Sequence, residues 1–260
     1  MRRWFRWSGR SRFRDDFEDV TAIMDRAKER TGRIPEGALE PIIARHGGYR
    51  GLKTFQLARL CYDVTVRFCD RYVPRGSRTR DQMVQAARSG VQNIAEGSEA
   101  SGTSKKTELK LTSVARASLE ELLLDYEDFL RQRHLPHWPI NDPRRADLVA
   151  RRCATAEQVA AWAREVKDKA LHNEFGSAIA PNLVTHQANT IHPPNNLVKN
   201  PGYPEIVANG ALTLIEITCV LLDRQLAALA RAFTSEGGFT ERLYRVRSAR
   251  RNRGGFGGKE

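Results

Sequence analysis

The feature that most restricts what this chain can become is a sustained alternation of three- and four-residue steps in its central third. Thr112, Ala115, Leu119, Leu122, Tyr126 and Phe129 recur at spacings of 3, 4, 3, 4 and 3. That repeat places side chains along one seam of a helix packed in a left-handed bundle. Just upstream, Met83, Ala87, Gly90, Ile94 and Gly97 follow the same rule at 4, 3, 4 and 3. Most of these side chains are small, so a neighbouring helix can approach closely. The run SEASGTS at 98–104 turns the chain between the two segments.

The rest of the chain reads as further helix. Over residues 52–72, Phe55, Ala58, Tyr62, Thr65, Phe68 and Tyr72 mark one buried face, and Pro74 and Gly76 end it. The next helix is expected to start at Thr79, with Gln82 completing a T-x-x-Q capping box. A third spans about 104–133. After Pro136 and Pro139, Asp142 and Pro143 make a cap and first-turn pair. A fourth helix to about 171 then carries Val149, Cys153, Ala156, Ala160, Ala163, Val166 and Ala170 inward. The expected fold class is all-α, an antiparallel up-and-down four-helix bundle over 49–172. An arm and a helical extension (helix over 15–31) occupy 1–48, a Pro/Asn-rich linker 173–204, a helical suffix 205–250 (helices over 205–233 and 239–247), and a Gly/Arg-rich tail 251–260.

Residues 82–130 resemble the small bacterial four helix bundle proteins, which include those encoded in intervening sequences of 23S rRNA genes and the accessory variability determinant of diversity-generating retroelements. The resemblance lies in the paired alanines Ala86 and Ala87, the N-I-A-E-G run from Asn93 to Gly97, and Ala115, Arg116, Ser118, Leu119 and Glu121 of the following helix. The stretch GGYRGLKTFQLA at 47–58 is similar to the family's lead into its first helix, and 208–250 resembles its C-terminal suffix domain. The resemblance implies a homopentameric barrel that associates with nucleic acid or a reverse transcriptase. The suffix departs from the short members and can occupy the surface on which a pentamer packs.

Charge separates the chain into parts. Residues 1–14 hold six arginines and no acid, and residues 242–260 hold seven basic groups against Glu260, so each end carries +6 of the net +12. The body between has 30 basic and 30 acidic residues and is neutral. With 40% hydrophobic residues it can bury a core. No window reaches about 18 consecutive apolar residues, and the basic, aromatic N-terminus lacks the apolar stretch of a secretory signal. The expected location is the cytoplasm. Cys61, Cys69, Cys153 and Cys219 form no CxxC pair and read as buried free thiols in helices.

Arginine donates a bidentate fork to phosphate and lysine a mobile point charge. Candidate nucleic-acid-binding residues are Arg67, Arg71, Arg75, Arg78, Arg80 and Arg88 around the first corner, and Lys105, Lys106 and Lys110 opening the third helix. These are two zones at opposite ends of an antiparallel bundle, and ordinary solvated helix faces are the alternative. The N-terminal arm, with Arg2, Arg3 and Arg6 interleaved with Trp and Phe, supplies stacking faces beside charge. The C-terminal segment, with Arg247, Arg250 and Arg251, reads as a flexible RNA-binding tail. Solubilising tails are the alternative for both. Glu96 is expected to pair with Lys105 or Lys106 across the turn. Glu120, Glu121, Asp125, Glu127 and Asp128 read as a solvent face.

Enzymatic chemistry finds no support in the residues. There is no Glu-x-x-His of a di-iron bundle, no Cys within ligand spacing of a histidine pair, no phosphate loop and no nucleophile elbow. The expectation is a non-catalytic, cofactor-free homo-oligomer that binds RNA or single-stranded DNA, with a polymerase-like protein as a further partner. The rival expectation is a protein scaffold that does not bind nucleic acid.

Overall fold

The computed structural model describes residues 43, 46–178 and 201–254, which are all-helical with no strand among them. The arm at 1–14, the helix expected over 15–31, most of the linker and the last six residues lie outside the described residues. Two compact units divide the chain, one of them His46–Gly238 and the other containing Phe239–Gly254.

The first unit has six α-helices: α1 (Lys53–Tyr72), α2 (Arg78–Ala100), α3 (Lys105–Gln132), α4 (Pro143–Arg151), α5 (Ala156–Ala178) and α6 (Tyr203–Glu236). A short 3-10 turn, Tyr49–Gly51, leads into α1. The second unit contributes α7 (Phe239–Gly254).

Local chemistry sets most of the helix ends. Ser104 caps α3 by accepting from the Thr107 amide at 3.2 Å, and Asp142 caps α4 by accepting from the Arg144 amide at 2.9 Å. Helix α2 begins at Arg78, one residue earlier than expected, with extended Ser77 at the cap position and no side-chain cap bond. Thr79 therefore lies inside the helix and makes no capping box. The T-x-x-Q pattern works elsewhere: Thr155 Oγ1 accepts from the Gln158 amide at 3.3 Å, and Gln158 Oε1 accepts from the Ala154 and Thr155 amides. This box, together with left-handed Arg152 (φ 49°) closing α4, splits the expected fourth helix in two. Cys153 consequently sits in the connection, still buried and, like the other three cysteines, a free thiol.

Helix α3 packs most extensively on α2 and then on α6, while α1 touches both α2 and α6. Every member of the α3 seam from Thr112 to Phe129 is buried, as is the whole stripe from Met83 to Gly97 on α2. The two helices run antiparallel, with Ser89 against Ser118 (3.0 Å) and Gly97 against Leu111. A β-carbon on Gly90 would fall 2.8 Å from Leu119 Cδ2 and 2.9 Å from its Cγ, so the Leu119 side chain rests on bare backbone. Helices α1 and α6 also run in opposite directions. Thr54 Oγ1 donates to Gln225 Oε1 at 2.7 Å, and Cys61 Sγ lies 3.7 Å from Thr218 Oγ1.

The 34-residue α6 is the most apolar helix. By length and composition it can cross a membrane, yet 78% of its most apolar stretch is buried inside the protein. Ile206, Leu212, Ile215 and Leu222 are all fully covered. Helices α4 and α5 lie against α6. Trp162 of α5 is pressed onto Gly210, where a β-carbon would fall 2.7 Å from the indole.

The segment between α3 and α4 is clamped to α6 by polar bonds. Asn209, 1% exposed, accepts from the Trp138 amide at 2.8 Å and donates to the Pro136 carbonyl at 3.0 Å. The Trp138 indole donates to Glu205 Oε1 at 2.9 Å, its ring meets Trp162 edge to face, and the Arg144 guanidinium covers it at 3.7 Å. Arg145 donates to the Trp138 carbonyl and pairs with Glu216.

Two stability outcomes follow from this packing. Gly90→Leu is expected to cost about 1–3 kcal/mol through overpacking, read by denaturant unfolding; an unchanged midpoint would contradict the close crossing. Asn209→Ala leaves the buried Trp138 amide without its partner and should cost about 2 kcal/mol. Asn209→Asp keeps the acceptor but sets a buried carboxylate oxygen against the Pro136 and Glu205 carbonyls, so it should lose at least as much.

Candidate nucleic-acid interface

Arginines in the first unit fall into two groups. Many are spent on ion pairs: Arg80 with Asp70, Arg67 with Glu157, Arg116 with Asp223 and Glu120, Arg145 with Glu216, and Arg151 with Asp147 and Glu165. Two of the expected phosphate-binding residues, Arg67 and Arg80, belong to this group, and so does Lys105, whose Nζ lies 3.1 Å from Glu108 Oε2. Glu108 is nearly buried; burial pushes its carboxyl above the usual range while Lys105 pulls it back. Lys105 thus pairs within its own helix rather than with Glu96, which is exposed across the turn.

The second group is exposed and makes no ion pair among the described residues: Arg71, Arg75 and Arg78 around the α1–α2 corner, Arg88 midway along α2, and Lys106 and Lys110 on the first turns of α3. The corner and the α2–α3 turn lie at the two ends of the 23-residue α2, about 34 Å apart at 1.5 Å per residue. Arg78 also borders a shallow polar groove of about 450 Å³ between α2 and α3, with Gln82, Gln85 and Ser89 on one side and Ser118 and Glu121 on the other. One turn further along α2, Asn93 Nδ2 donates to the Ser89 carbonyl at 2.9 Å and to its hydroxyl at 3.0 Å.

The C-terminal residues look different from their expected form. Arg247, Arg250 and Arg251 are not on a flexible tail; they sit on α7, which runs through to Gly254. All three are exposed. Arg245 and Tyr244, which sequence reasoning did not single out, are exposed beside them. Arg2, Arg3 and Arg6 lie outside the described residues.

The acidic run on α3 is only partly a solvent face. Glu120 pairs with Arg116, and Asp128 with Arg131 at 2.7 Å. Asp125 is half-buried, and its Oδ2 is buried without a hydrogen-bond partner. Burial, followed by the neighbouring Glu121 and Asp128 carboxylates, raises its carboxyl above the ordinary value. Among the described residues, no group of three His, Cys, Asp or Glu is placed to hold a metal ion. Burial likewise pushes the Cys61 and Cys219 thiols up to about 12, which removes them from nucleophilic chemistry at neutral pH.

The raised Asp125 carboxyl makes a signed prediction. A group that binds its proton more tightly in the folded state opposes folding when ionised, and that opposition fades as pH falls through the folded value towards the unfolded one. Asp125→Asn should therefore raise the melting temperature at pH 7, and the gap from the native chain should close by about pH 3, below the unfolded carboxylate value.

No family model matches this chain, and no curated protein or solved structure is similar to it.

Proposed function

We propose that this chain is a non-catalytic, oligomeric helical-bundle protein that binds nucleic acid, RNA or single-stranded DNA, as an accessory to a reverse transcriptase or to ribosomal RNA. The reading rests on the resemblance of residues 82–130 to the four helix bundle family. In it, α1, α2, α3 and α6 form the up-and-down bundle, supported by the antiparallel pairings of α2 with α3 and of α1 with α6.

The observation that carries the reading is the partition of positive charge. The body is neutral and pairs several of its arginines internally, whereas residues 1–14 and 242–260 each carry a net +6. Arg71, Arg75, Arg78, Lys106 and Lys110 add a short-range contribution on the body. A protein scaffold is the second reading. It is favoured by exposed apolar side chains on the bundle helices, Leu124 at 55% and Val114 on α3 and Val220 on α6.

Deleting residues 1–14 and 242–260 removes the whole +12. The truncated protein should bind a labelled single-stranded RNA at least tenfold more weakly, about 1.4 kcal/mol. Its log-log salt slope should flatten, because each phosphate contact on a single strand contributes roughly −0.7. Helicity falls by the share of α7 that is removed, while the melting transition of the 46–238 unit stays in place. Undiminished affinity would move the site to the bundle corners. Absence of binding by the full chain would favour the scaffold. Light scattering on the same sample reads the assembly, and a monomer at micromolar concentration would remove the oligomer from the proposal.

A further inference from the structure

Helix α7 goes beyond that reading, to a form of nucleic acid other than the two it names. It is 16 residues long, about 24 Å, and carries six arginines against the single acid Glu241. Its apolar side is partly taken up. Phe239 and Leu243 are half-buried, Val246 is 3% exposed, and these three with half-buried Arg242 occupy a sector of about 100°. Beyond that sector, Tyr244 (70% exposed), Arg247 and Arg251 follow one another at steps of 3 and 4 along a single line. Exposed Arg245 lies about 130° round the helix from that line on one side; exposed Arg250 lies about 90° round on the other, at the azimuth of Phe239 and Leu243 but two to three turns beyond them.

We infer that α7 docks into the major groove of duplex DNA, with Arg247 and Arg251 towards the base edges and Arg245 and Arg250 towards the phosphates of the two walls. The inference rests on the nucleic-acid reading above. A helix with its side chains is about 10–12 Å across, and the B-form major groove is about 12 Å wide. A rod in that groove meets phosphate on both sides and base edges beneath, which matches charge on three sides of the helix. Arginine's fork fits both guanine edges and phosphate oxygens.

Other polyanions fit α7 less well. A single strand is held on one face by successive stacking aromatics, and α7 exposes Tyr244 alone of that kind. The A-form RNA major groove is deep and too narrow for such a rod. An anionic membrane needs a free apolar face to insert, and on α7 Val246 is buried and Phe239 and Leu243 are half-buried.

The test uses the full chain and two labelled probes, a 20-base-pair DNA duplex and one of its strands, titrated by fluorescence anisotropy at several salt concentrations. The duplex should bind at least fivefold more tightly than the strand. Arg247→Gln with Arg251→Gln should weaken duplex binding at least tenfold and strand binding less than twofold. Ser248→Pro keeps every charge but removes a helical hydrogen bond and breaks α7; it should weaken duplex binding as much as the double substitution. An unchanged melting transition of the 46–238 unit shows that the rest of the protein is intact, and the glutamine pair decides the matter without breaking the helix. Equal losses on both probes, or a Ser248→Pro protein that binds the duplex like the native chain, would overturn the inference. Binding of the strand but not the duplex sinks it while leaving the nucleic-acid reading standing. Failure to bind the duplex, the strand and single-stranded RNA removes both.

Discussion

The close approach of α2 to α3 depends on the absence of a side chain at Gly90. With Leu119 seated on bare backbone there, the α3 seam from Thr112 to Phe129 can reach the α2 stripe along its whole length. The remaining core depends on that spacing. Tyr126, fully buried, donates to Thr65 Oγ1 at 3.1 Å, and Thr65 donates to the Cys61 carbonyl at 2.7 Å. This chain ties α3 to α1 without leaving the phenol unpaired in an apolar interior. Phe68 then meets both Tyr126 and Phe129 at ring-centroid distances of 4.8 and 4.7 Å. Each contact presumes α3 at its present distance from the others.

The periodicity in the seam and in the stripe was legible because it depends on residue type and spacing alone. What was not legible was which later helix lies beside α1 and α3. The segments at 143–178 and 203–236 both alternate apolar and polar positions, and short loops favour the nearer one. Composition around the helix decides otherwise. In α6 nearly every position from Ala208 to Ile215 is buried, so it needs cover on several sides, whereas α5 keeps Arg164, Glu165, Asp168 and Lys169 in water. The clamp through Asn209, Glu205 and Trp138 joins residues about 70 positions apart, and no local pattern announces it. The two T-x-x-Q sequences make the same point at smaller scale. Thr155 caps because Arg152 has already turned left-handed, while Thr79 is overtaken by a helix that starts at Arg78.

The candidate site was legible as charge and illegible as geometry. Counting placed +6 at each end of the sequence, but the count does not tell a paired guanidinium from an open one. Arg67, Arg80 and Lys105 meet carboxylates, two of them on distant or neighbouring helices, and the exposed Arg67–Glu157 pair contributes little to stability. Their consequence is electrostatic: a cation held at contact by a carboxylate projects little field at the range where a polyanion is first attracted. Arg71, Arg75 and Arg78 keep theirs.

The glycines near the C-terminus hid α7. GGFGG suggests flexibility, but it begins only at Gly254, after the Arg-rich run has ended. Between Phe239 and Gly254 there is no proline or interior glycine, and arginine is among the better helix formers. Six like charges in one helix repel each other, and helix formation holds them at fixed separations that a coil would relax. Spacing them around the circumference limits that cost, with Arg245 and Arg250 on opposite sides of the Arg247 and Arg251 line. The same spacing makes the helix an array of donors at fixed positions rather than a diffuse cloud of charge, which is the physical difference between a surface that merely attracts phosphate and one that can select the shape of what it holds.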